Sequence, residues 1–380
     1  MVNVLNEYFS SVFSNTSSLT QTFTDNTRLT PNFNRIDFNV DDIINLINSL
    51  NDNKSVGPDN IHIKIIKEGR NNLATALYYI FRRSIHYKEI PEDWKLANVT
   101  PIHKKGNKSN VNNYRPVSLT SIVCKILERI IKCHLVKYIE ENSLLYNTQH
   151  GFRSNKSCLT NLLEYIEYVT GELDTGNSVD VVYLDFSKAF DKVSHDKLIA
   201  KLSSFGIGGD VISWIREWLT GRKERVVLNG HKSTWVDVLS GVPQGSVLGP
   251  ILFILYINDI DTGISSKLFK FADDCKIVRS IKTTEDNIQL QHDLDLLEGW
   301  ADKWNMKFNV QKCSQLTFGN KEHFSYSLDN NWLVDNNSEK DLGVIIDSKL
   351  KFHEQCISAR NRANRALGFI NKNVSYKTNR

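Results

Sequence analysis

The sequence lacks the features that mark a secreted protein, a membrane protein or a small zinc-binding domain. Its six cysteines include no C-x-x-C pair and lie too far apart for a zinc knuckle. The N-terminus has no basic region followed by an apolar run, and no apolar stretch approaches the roughly 18 residues of a membrane-spanning helix. We expect reduced, mostly buried thiols in an intracellular protein, nuclear or cytoplasmic, with no membrane partner.

The net charge is also small, at +4. This total alone indicates no nucleic-acid partner, but the charges are unevenly distributed. No acidic residue occurs from Trp94 to Leu127, and Glu354 is the only one in residues 351–380, whereas both segments carry several lysines or arginines. Aspartates cluster between the two segments. Basic regions suit phosphate and an acidic region suits divalent metal, although such charge runs are also common on solvated faces.

Apolar material for a core is plentiful, because 41% of the 380 residues are hydrophobic. The clearest predicted helix runs from Ser121 to Glu141, and a buried strand is predicted from Val179 to Phe186. Tight hairpins are predicted around Asn229-Gly230 and Asp273-Asp274. Further helices are predicted at 41–50, 73–87, 156–173, 194–206, 210–219, 285–304 and from about 352. Helices mixed with antiparallel hairpins predict an α+β fold.

Three carboxylates indicate the chemistry. Asp185 ends the predicted buried strand, and Asp273 with Asp274 occupies the turn of an apolar hairpin. Adjacent carboxylates repel each other unless a cation lies between them. Magnesium is usually held by one or two carboxylates plus substrate phosphates, so the three residues predict a two-metal site for in-line displacement. A lone Asp-Asp turn is usually structural; the strand-end Asp185 and an intervening Gln-Gly loop favour the metal site.

Three segments, in chain order, resemble motifs A, B and C of reverse transcriptases, above all those of jockey-type non-LTR retrotransposons. They are Val-Val-Tyr-Leu-Asp-Phe-Ser-Lys-Ala-Phe-Asp (181–191), Ser-Gly-Val-Pro-Gln-Gly-Ser-Val-Leu-Gly-Pro (240–250) and Phe-Ala-Asp-Asp (271–274). The resemblance implies a right-hand polymerase with an antiparallel palm sheet, helical fingers and an incomplete helical thumb. Its implied divisions are a lead-in (1–50), fingers with part of the palm (51–178), palm with motifs A to E (179–350) and the start of a truncated thumb (351–380).

The resemblance also implies the metal site and the sugar selectivity. Asp185, Asp273 and Asp274 would be the catalytic metal ligands, and the backbone carbonyl of Phe186 would complete one of two Mg²⁺ sites, with Mn²⁺ as a substitute ion. Phe190 would be the steric gate, since an aromatic ring there clashes with a ribose 2′-OH and favours dNTPs. The ordinary alternative for Phe190 is a core aromatic.

Motif B would pack against the incoming nucleotide. By the resemblance, Gln244 and Gly245 contact the nucleotide and the template base. Physically, Gly241, Gly245 and Gly249 allow the backbone to approach a ligand closely, although glycine-rich loops are more often structural. We interpret Asp191 as the cap of the helix that follows it and not as a metal ligand.

The remaining implied contacts concern phosphate, template and primer. They are a triphosphate contact by Arg115 and either Lys104 or Lys105, a template contact by Arg153, a general acid for pyrophosphate at Lys312, and a primer grip at Leu342 and Gly343. The implied partners are an RNA template, a DNA primer and dNTPs. The sequence does not indicate an oligomeric state.

Relatives of this type usually carry an endonuclease before the polymerase and a longer thumb after it, so we expect a fragment or a truncated copy. Three functions stay open. The first is an RNA-directed DNA polymerase, and the second is a catalytically weak or inactive retroelement fragment that only binds RNA. The third is an RNA-dependent RNA polymerase with the same palm, against which Phe190 and Ala272, in place of a glycine before the aspartate pair, both argue.

Overall fold

The computed structural model describes residues 1–13, 32–319 and 324–374. Its α-helices are α1 (Val2–Ser10), α2 (Val40–Asn48), α3 (Ile63–Glu68), α4 (Arg70–Tyr87), α5 (Glu92–Lys95), α6 (Ile122–Glu141), α7 (Cys158–Asp174), α8 (His195–Ser204), α9 (Gly209–Leu219), α10 (Gly249–Tyr256), α11 (Thr284–Lys303) and α12 (His353–Asn373). Its strands are β1 (Leu96–His103), β2 (Tyr114–Thr120), β3 (Ser178–Leu184), β4 (Lys223–Leu228), β5 (His231–Lys232), β6 (Val236–Asp237), β7 (Lys267–Phe271), β8 (Asp274–Ile281), β9 (Ser314–Phe318), β10 (Ser327–Leu328), β11 (Asn331–Trp332), β12 (Val334–Asp335), β13 (Ser338–Asp341) and β14 (Val344–Asp347).

The chain forms two compact units, each assembled from segments that are distant in sequence. The first unit comprises Met1–Phe152, Ser187–Asp261 and Trp300–Lys307, and the second comprises Arg153–Phe186, Thr262–Gly299 and Phe308–Arg380. Helices and mainly antiparallel sheets occur together, as the α+β prediction requires. No described helix is long and apolar enough to cross a membrane.

The first unit contains a sheet in which β1 pairs antiparallel with β2 and parallel with β4. Helix α1 packs on this sheet through Leu5 and Phe9, which are buried together with Val99 and Val226. The predicted lead-in therefore starts with an ordered helix that the sequence reading missed. Residues 14–31 of the predicted lead-in lie outside the described part of the chain.

Two helices of the first unit follow directly from their side chains. Helix α6 begins after Ser121, whose hydroxyl accepts the backbone N–H of Cys124 at 3.4 Å, and its apolar face is buried as the spacing predicted. Helix α10 begins with Gly249 and Pro250, and its residues Ile251–Tyr256 are all buried. A helix that is apolar on every face belongs in a core, so α10 fixes the end of motif B within this unit.

The second unit is built on a five-stranded sheet in the order β12-β9-β3-β8-β7. All seven residues of β3 are buried, because β8 and β9 flank it and α7 covers it. Tyr165 and Val169 of α7 pack against Val181 and Leu316. A strand that is buried on both faces is rich in apolar residues. The valines of β3 therefore allowed the sequence to predict this strand.

The β13–β14 hairpin forms a separate two-stranded sheet in the second unit. Ile346 of this hairpin is buried in the same core as β3. Helix α12 follows the hairpin, and none of its residues is buried.

The cysteines are free thiols, but only half of them are buried. Cys124, Cys275 and Cys313 are buried, whereas Cys133 and Cys356 are exposed. The expectation of mostly buried thiols was therefore wrong for Cys133 and Cys356, which lie on the exposed surfaces of α6 and α12.

Candidate active site

The predicted metal ligands lie at one end of the five-stranded sheet of the second unit. The antiparallel register of β3 and β8 ends with Leu184 opposite Cys275. Asp185 directly follows Leu184, and Asp274 directly precedes Cys275 as the first residue of β8. One further step of the same register sets Asp185 opposite Asp274. Motifs A and C therefore meet at neighbouring strand ends.

Strands β7 and β8 form the hairpin that carries Asp273 and Asp274, here called the catalytic hairpin after its predicted role. Its turn lies one residue earlier than the sequence predicted. Phe271 pairs with Asp274, so the two turn residues are Ala272 and Asp273, not Asp273 and Asp274. Ala272 adopts a φ of 57°, which is uncommon for a residue other than glycine and is a form of strain that clusters at functional sites. Asp273 therefore sits half-buried at the tip, and Asp274 is exposed at the start of the strand.

Asp185 is held by the segment around Lys312, the predicted general acid. Its backbone carbonyl accepts the N–H of Asn309 at 2.7 Å, and its own N–H donates to Cys313 Sγ at 3.4 Å. Lys312 Nζ lies 2.8 Å from Asp185 Oδ2, with 60% of the lysine side chain exposed. Burial raises the pKa of the Cys313 thiol to about 11, so Cys313 remains protonated and serves as a packing and hydrogen-bonding group.

These residues fit a divalent metal by their chemistry. The three carboxylates are hard oxygen donors of the kind that Mg²⁺ prefers. Within the described residues, no three acidic, histidine or cysteine side chains form a ready-made metal cage. Magnesium is usually held by one or two carboxylates together with substrate phosphates. An exposed carboxylate such as Asp274 can share an ion with a phosphate in this way. Phe186, the source of the implied carbonyl ligand, is buried with its ring stacked on Phe308 at 4.5 Å.

Phe190 belongs to the first unit and is half-buried. Its ring stacks on Phe253 of α10, with the centroids 4.3 Å apart and the planes 19° from parallel. Its carbonyl accepts the N–H of Val242 at 2.8 Å, which ties motif A to motif B. A half-buried ring that stacks on a core residue fits either a core aromatic or a steric gate.

Asp191 is not a helix cap, contrary to the prediction. Helix α8 begins later, with Ser194 at its N-cap position. Asp191 lies within a 3-10 turn, and its Oδ1 accepts a hydrogen bond from Gln244 Nε2 at 2.9 Å. Burial raises the pKa of Asp191, while the bond from Gln244 opposes that rise. Asp191 thus orients the side-chain amide of the motif B glutamine.

Protein backbone fills the space that a side chain would need at two of the motif B glycines, Gly241 and Gly245. A Cβ on Gly241 would stand 2.7 Å from the Cα of Asp191, and one on Gly245 would stand 2.3 Å from the carbonyl oxygen of Ser118. Both glycines also have positive φ, 89° and 130°. The interpretation that Gly241 makes room for a ligand was therefore wrong, because motif A already fills that space.

Glu128 is a motif B partner that the sequence reading missed. It is fully buried in α6, and its Oε2 accepts the backbone N–H groups of Val247 at 2.6 Å and Leu248 at 3.2 Å. These amides precede α10, where N–H groups lack partners within the helix. Glu128 therefore caps α10 from another element. Its only sequence signal was a charge on the otherwise apolar face of α6.

The implied triphosphate contacts cluster at the tip of the β1–β2 hairpin. Lys104 and Lys105 follow β1 directly, and Arg115 is the second residue of β2. All three are exposed. The positive charges of Lys104 and Arg115 also act to lower the pKa of Asp191, which puts both cations within electrostatic reach of the Asp191–Gln244 pair.

Glu224 is a second buried acid beside this pair. Burial and the neighbouring Asp191 charge raise the pKa of Glu224 to about 7, with Arg222 opposing the rise. Both acids line a cavity of about 30 Å³ with Gln244 and Ser118. Ligand pockets measure roughly 300–1,000 Å³, so this cavity is a packing gap and not the nucleotide pocket.

Glu224→Gln is expected to change the pH dependence of stability. Below about pH 4.5, Glu224 is protonated in both the folded and unfolded chain; as the pH rises to about 7, only the folded chain retains the proton. The wild-type chain therefore loses stability relative to Glu224→Gln between pH 5 and 8, on the order of 2–3 kcal/mol. Denaturant unfolding at several pH values measures this. The exposed Glu68→Gln should not alter the profile, and parallel profiles for wild type and Glu224→Gln would contradict the prediction.

The residues that are predicted to contact the primer and the template lie in the second unit. Leu342 and Gly343 form the two-residue turn between β13 and β14, with φ values of 44° and 93°. Such turns suit the twist of antiparallel strands, but leucine in this conformation is strained. Arg153, the predicted template contact, is half-buried.

A family model described as reverse transcriptase (RNA-dependent DNA polymerase) matches residues 102–359. The chain is 28% identical over 325 residues to "RNA-directed DNA polymerase from mobile element jockey" of Drosophila melanogaster, which covers 82% of this chain and 35% of that protein. It is 29% identical over 319 residues to "Probable RNA-directed DNA polymerase from transposon X-element" of the same species, with the same coverage.

The protein of the jockey element of Drosophila funebris is 28% identical over 331 residues, which is 84% of this chain and 36% of that protein. The chain thus spans about a third of these curated relatives. Apo telomerase from Candida Tropicalis, truncated from its C-terminal domain, is similar with a TM-score of 0.47 and 10% identity over 70% of this chain and 55% of that chain. Because the family model matches more than half of the residues, the chain belongs to the reverse transcriptase family, and its predicted resemblance to jockey-type elements is confirmed.

Proposed function

We propose that this chain carries out RNA-templated DNA synthesis on a DNA primer. The primer 3′-OH attacks the α-phosphate of a dNTP, a new phosphodiester bond forms, and pyrophosphate leaves. The observation that carries this proposal is the meeting of Asp185 with the Asp273-Asp274 hairpin at adjacent ends of β3 and β8. Template base pairing selects the nucleotide, and the protein supplies positioning and electrostatic stabilisation.

Reverse transcriptases depend on divalent metal, and in this chain the ligands would be the carboxylates of Asp185, Asp273 and Asp274 with the carbonyl of Phe186. Two Mg²⁺ ions, or Mn²⁺ in their place, lower the pKa of the attacking hydroxyl and stabilise the leaving oxygen when bound. The position of Asp274 at the exposed start of β8, next to the end of β3, supports this assignment.

The nucleotide contacts follow from the first unit. Arg115 would bind triphosphate oxygens with its planar fork, and Lys104 would add a point charge. We favour Lys104 over Lys105 because Lys104 is within electrostatic reach of Asp191. Gln244, held by Asp191, and Gly245 would face the nucleotide and template base.

Lys312 would protonate the pyrophosphate leaving group. It is a cation with a mostly exposed side chain, 2.8 Å from a proposed metal ligand, so it is near the reacting phosphates without being buried. Its pairing with Asp185 also stabilises that carboxylate.

The subdomains that we propose are fingers at 51–178, palm at 179–350 and the start of a thumb from 351, and these divisions cut across the two compact units. The central β3–β8 sheet supports the palm assignment. The exposed α12, which carries Arg360, Arg362 and Arg365, supports a thumb that faces nucleic acid. Arg153 would contact the template backbone, and the strained Leu342-Gly343 turn would contact the primer end.

Primer extension tests this function. We expect the purified chain, with an RNA template annealed to a DNA primer, dNTPs and Mg²⁺, to extend the primer, and EDTA to stop the extension. Binding measured in parallel should weaken steeply with salt, because phosphate contacts release counterions. Salt-dependent binding without any dNTP incorporation would contradict the proposal and favour a chain that only binds RNA.

A further inference from the structure

A single buried lysine links the catalytic hairpin to the hairpin of the proposed primer grip. Lys276 lies on β8, two residues after Asp274, and only 3% of its side chain is exposed. Its ammonium forms an ion pair with Asp341, of which 8% is exposed. Asp341 is the last residue of β13 and immediately precedes the Leu342-Gly343 turn. We propose that the Lys276–Asp341 pair is a positioning device that sets the primer-gripping turn at a fixed place relative to Asp273 and Asp274, an inference that rests on the proposed function.

The Lys276 ammonium also connects helix α7 and, through it, strand β7 to this ion pair. Lys276 Nζ donates to Asn161 Oδ1 of α7 at 2.8 Å, and Asn161 Nδ2 donates in turn to the carbonyl of Lys270 on β7 at 3.2 Å. The ring of Tyr165, also on α7, lies 4.5 Å from Lys276 Nζ. Both strands of the catalytic hairpin are thereby joined through one cluster to the end of β13.

Backbone pairing anchors the chain just before β13, where β12 pairs with β9, but it does not hold the turn itself. In the described residues, β13 and β14 pair only with each other, and no ladder connects them to the five-stranded sheet. The other ties of the hairpin are elsewhere along it. Glu339 accepts from Ser314 of β9 at 2.7 Å, and Ile346 packs in the core. Asp341 is the residue that secures the end of β13 next to the turn.

An ion pair is a costly way to fill buried space, which argues for a positional role. Well-packed apolar residues of similar volume often replace a buried pair without loss of stability. A charged hydrogen bond, however, has a defined length and direction, whereas an apolar contact tolerates sliding. Successive strand residues are about 3.3 Å apart, so Lys276 lies close to Asp274 along β8. Its ion pair with Asp341 therefore holds the turn at a short, defined distance from Asp274.

The test is the paired replacement Lys276→Met with Asp341→Leu. Each single change would leave an unpaired buried charge and lower stability, but the double variant removes both charges and is expected to keep the thermal midpoint of the wild type. We expect its KM for primer–template to rise about tenfold to a hundredfold, with the KM for dNTP unchanged, since small misplacements of a reacting group have effects of this size. A double variant with wild-type KM for primer–template would overturn the inference.

The control replaces another ion pair of the same strand. Arg279 and Asp286 are 3.2 Å apart, and Arg279 lies near the other end of β8. Arg279→Met with Asp286→Leu should leave the KM for primer–template as in the wild type. An equal rise in both double variants would mean that any lost pair on β8 has this effect, and would overturn a specific role for Lys276.

A second measurement separates this inference from the proposed function. Adding primer–template to the wild-type chain should slow amide hydrogen exchange at Leu342 and Gly343, and the Lys276→Met/Asp341→Leu variant should lose that protection. This readout needs no catalysis. If the wild-type chain shows this protection but does not extend a primer, only the proposed function is contradicted. If the wild-type chain shows no protection, the inference about Lys276 and Asp341 is contradicted.

Discussion

Asp273→Ala is expected to reduce primer extension by about a thousandfold or more, which corresponds to about 4 kcal/mol of lost transition-state stabilisation. Asp273 stands at the tip of the catalytic hairpin, where its carboxylate is half-buried and held by a strained turn. Removing it takes away one of the hard oxygen donors that are proposed to hold divalent metal. Single-turnover extension with an RNA template and a DNA primer measures the effect.

The matched control is Asp174→Ala, which removes an exposed carboxylate at the end of α7 in the same unit. It should retain wild-type extension. Asp273→Ala should also retain the thermal midpoint and the salt-dependent binding of template, because its side chain lies at a turn and not in the core. Wild-type extension by Asp273→Ala would sink the assignment of the metal site, and loss of folding would be visible in the thermal midpoint.

Phe190→Val is expected to raise the use of rNTPs relative to dNTPs by about tenfold to a hundredfold. A hydrophobic contact that accepts or rejects one small group is worth about 1–3 kcal/mol, which sets this range. The Phe190 ring is half-buried and lies beside Phe253, so an aromatic ring at this position would narrow the space that a 2′-OH needs. The ratio of kcat/KM for matched ribo- and deoxynucleotides measures the change.

Phe253→Leu distinguishes a gate from simple packing. This variant removes the stacking partner from the buried face of α10 but keeps the Phe190 ring. It should cost stability, since a buried aromatic ring is lost, while leaving the nucleotide ratio near that of the wild type. Unchanged selectivity in Phe190→Val would show that Phe190 is only a core aromatic.

Local patterns were sufficient for several elements of the fold. The apolar spacing of α6 and its Ser121 cap are confirmed, because helix formation depends on neighbours three and four residues apart. The buried strand predicted at Val179–Phe186 is confirmed as β3, which ends two residues earlier at Leu184, because β-branched and aromatic residues dominate it. Helix α1 was missed because its packing partners, such as Val99 and Val226, are remote in sequence.

The sequence by itself determined the family and the order of the catalytic motifs, because Asp185, Gln244 and the Asp273-Asp274 pair are recognisable from their immediate neighbours. The roles of the charged residues behind them required the tertiary structure. Asp191 meets Gln244 across 53 residues, Glu128 meets Val247 across 119, and Lys276 meets Asp341 across 65. A buried charge needs a partner that the fold brings to it, and no local pattern identifies that partner.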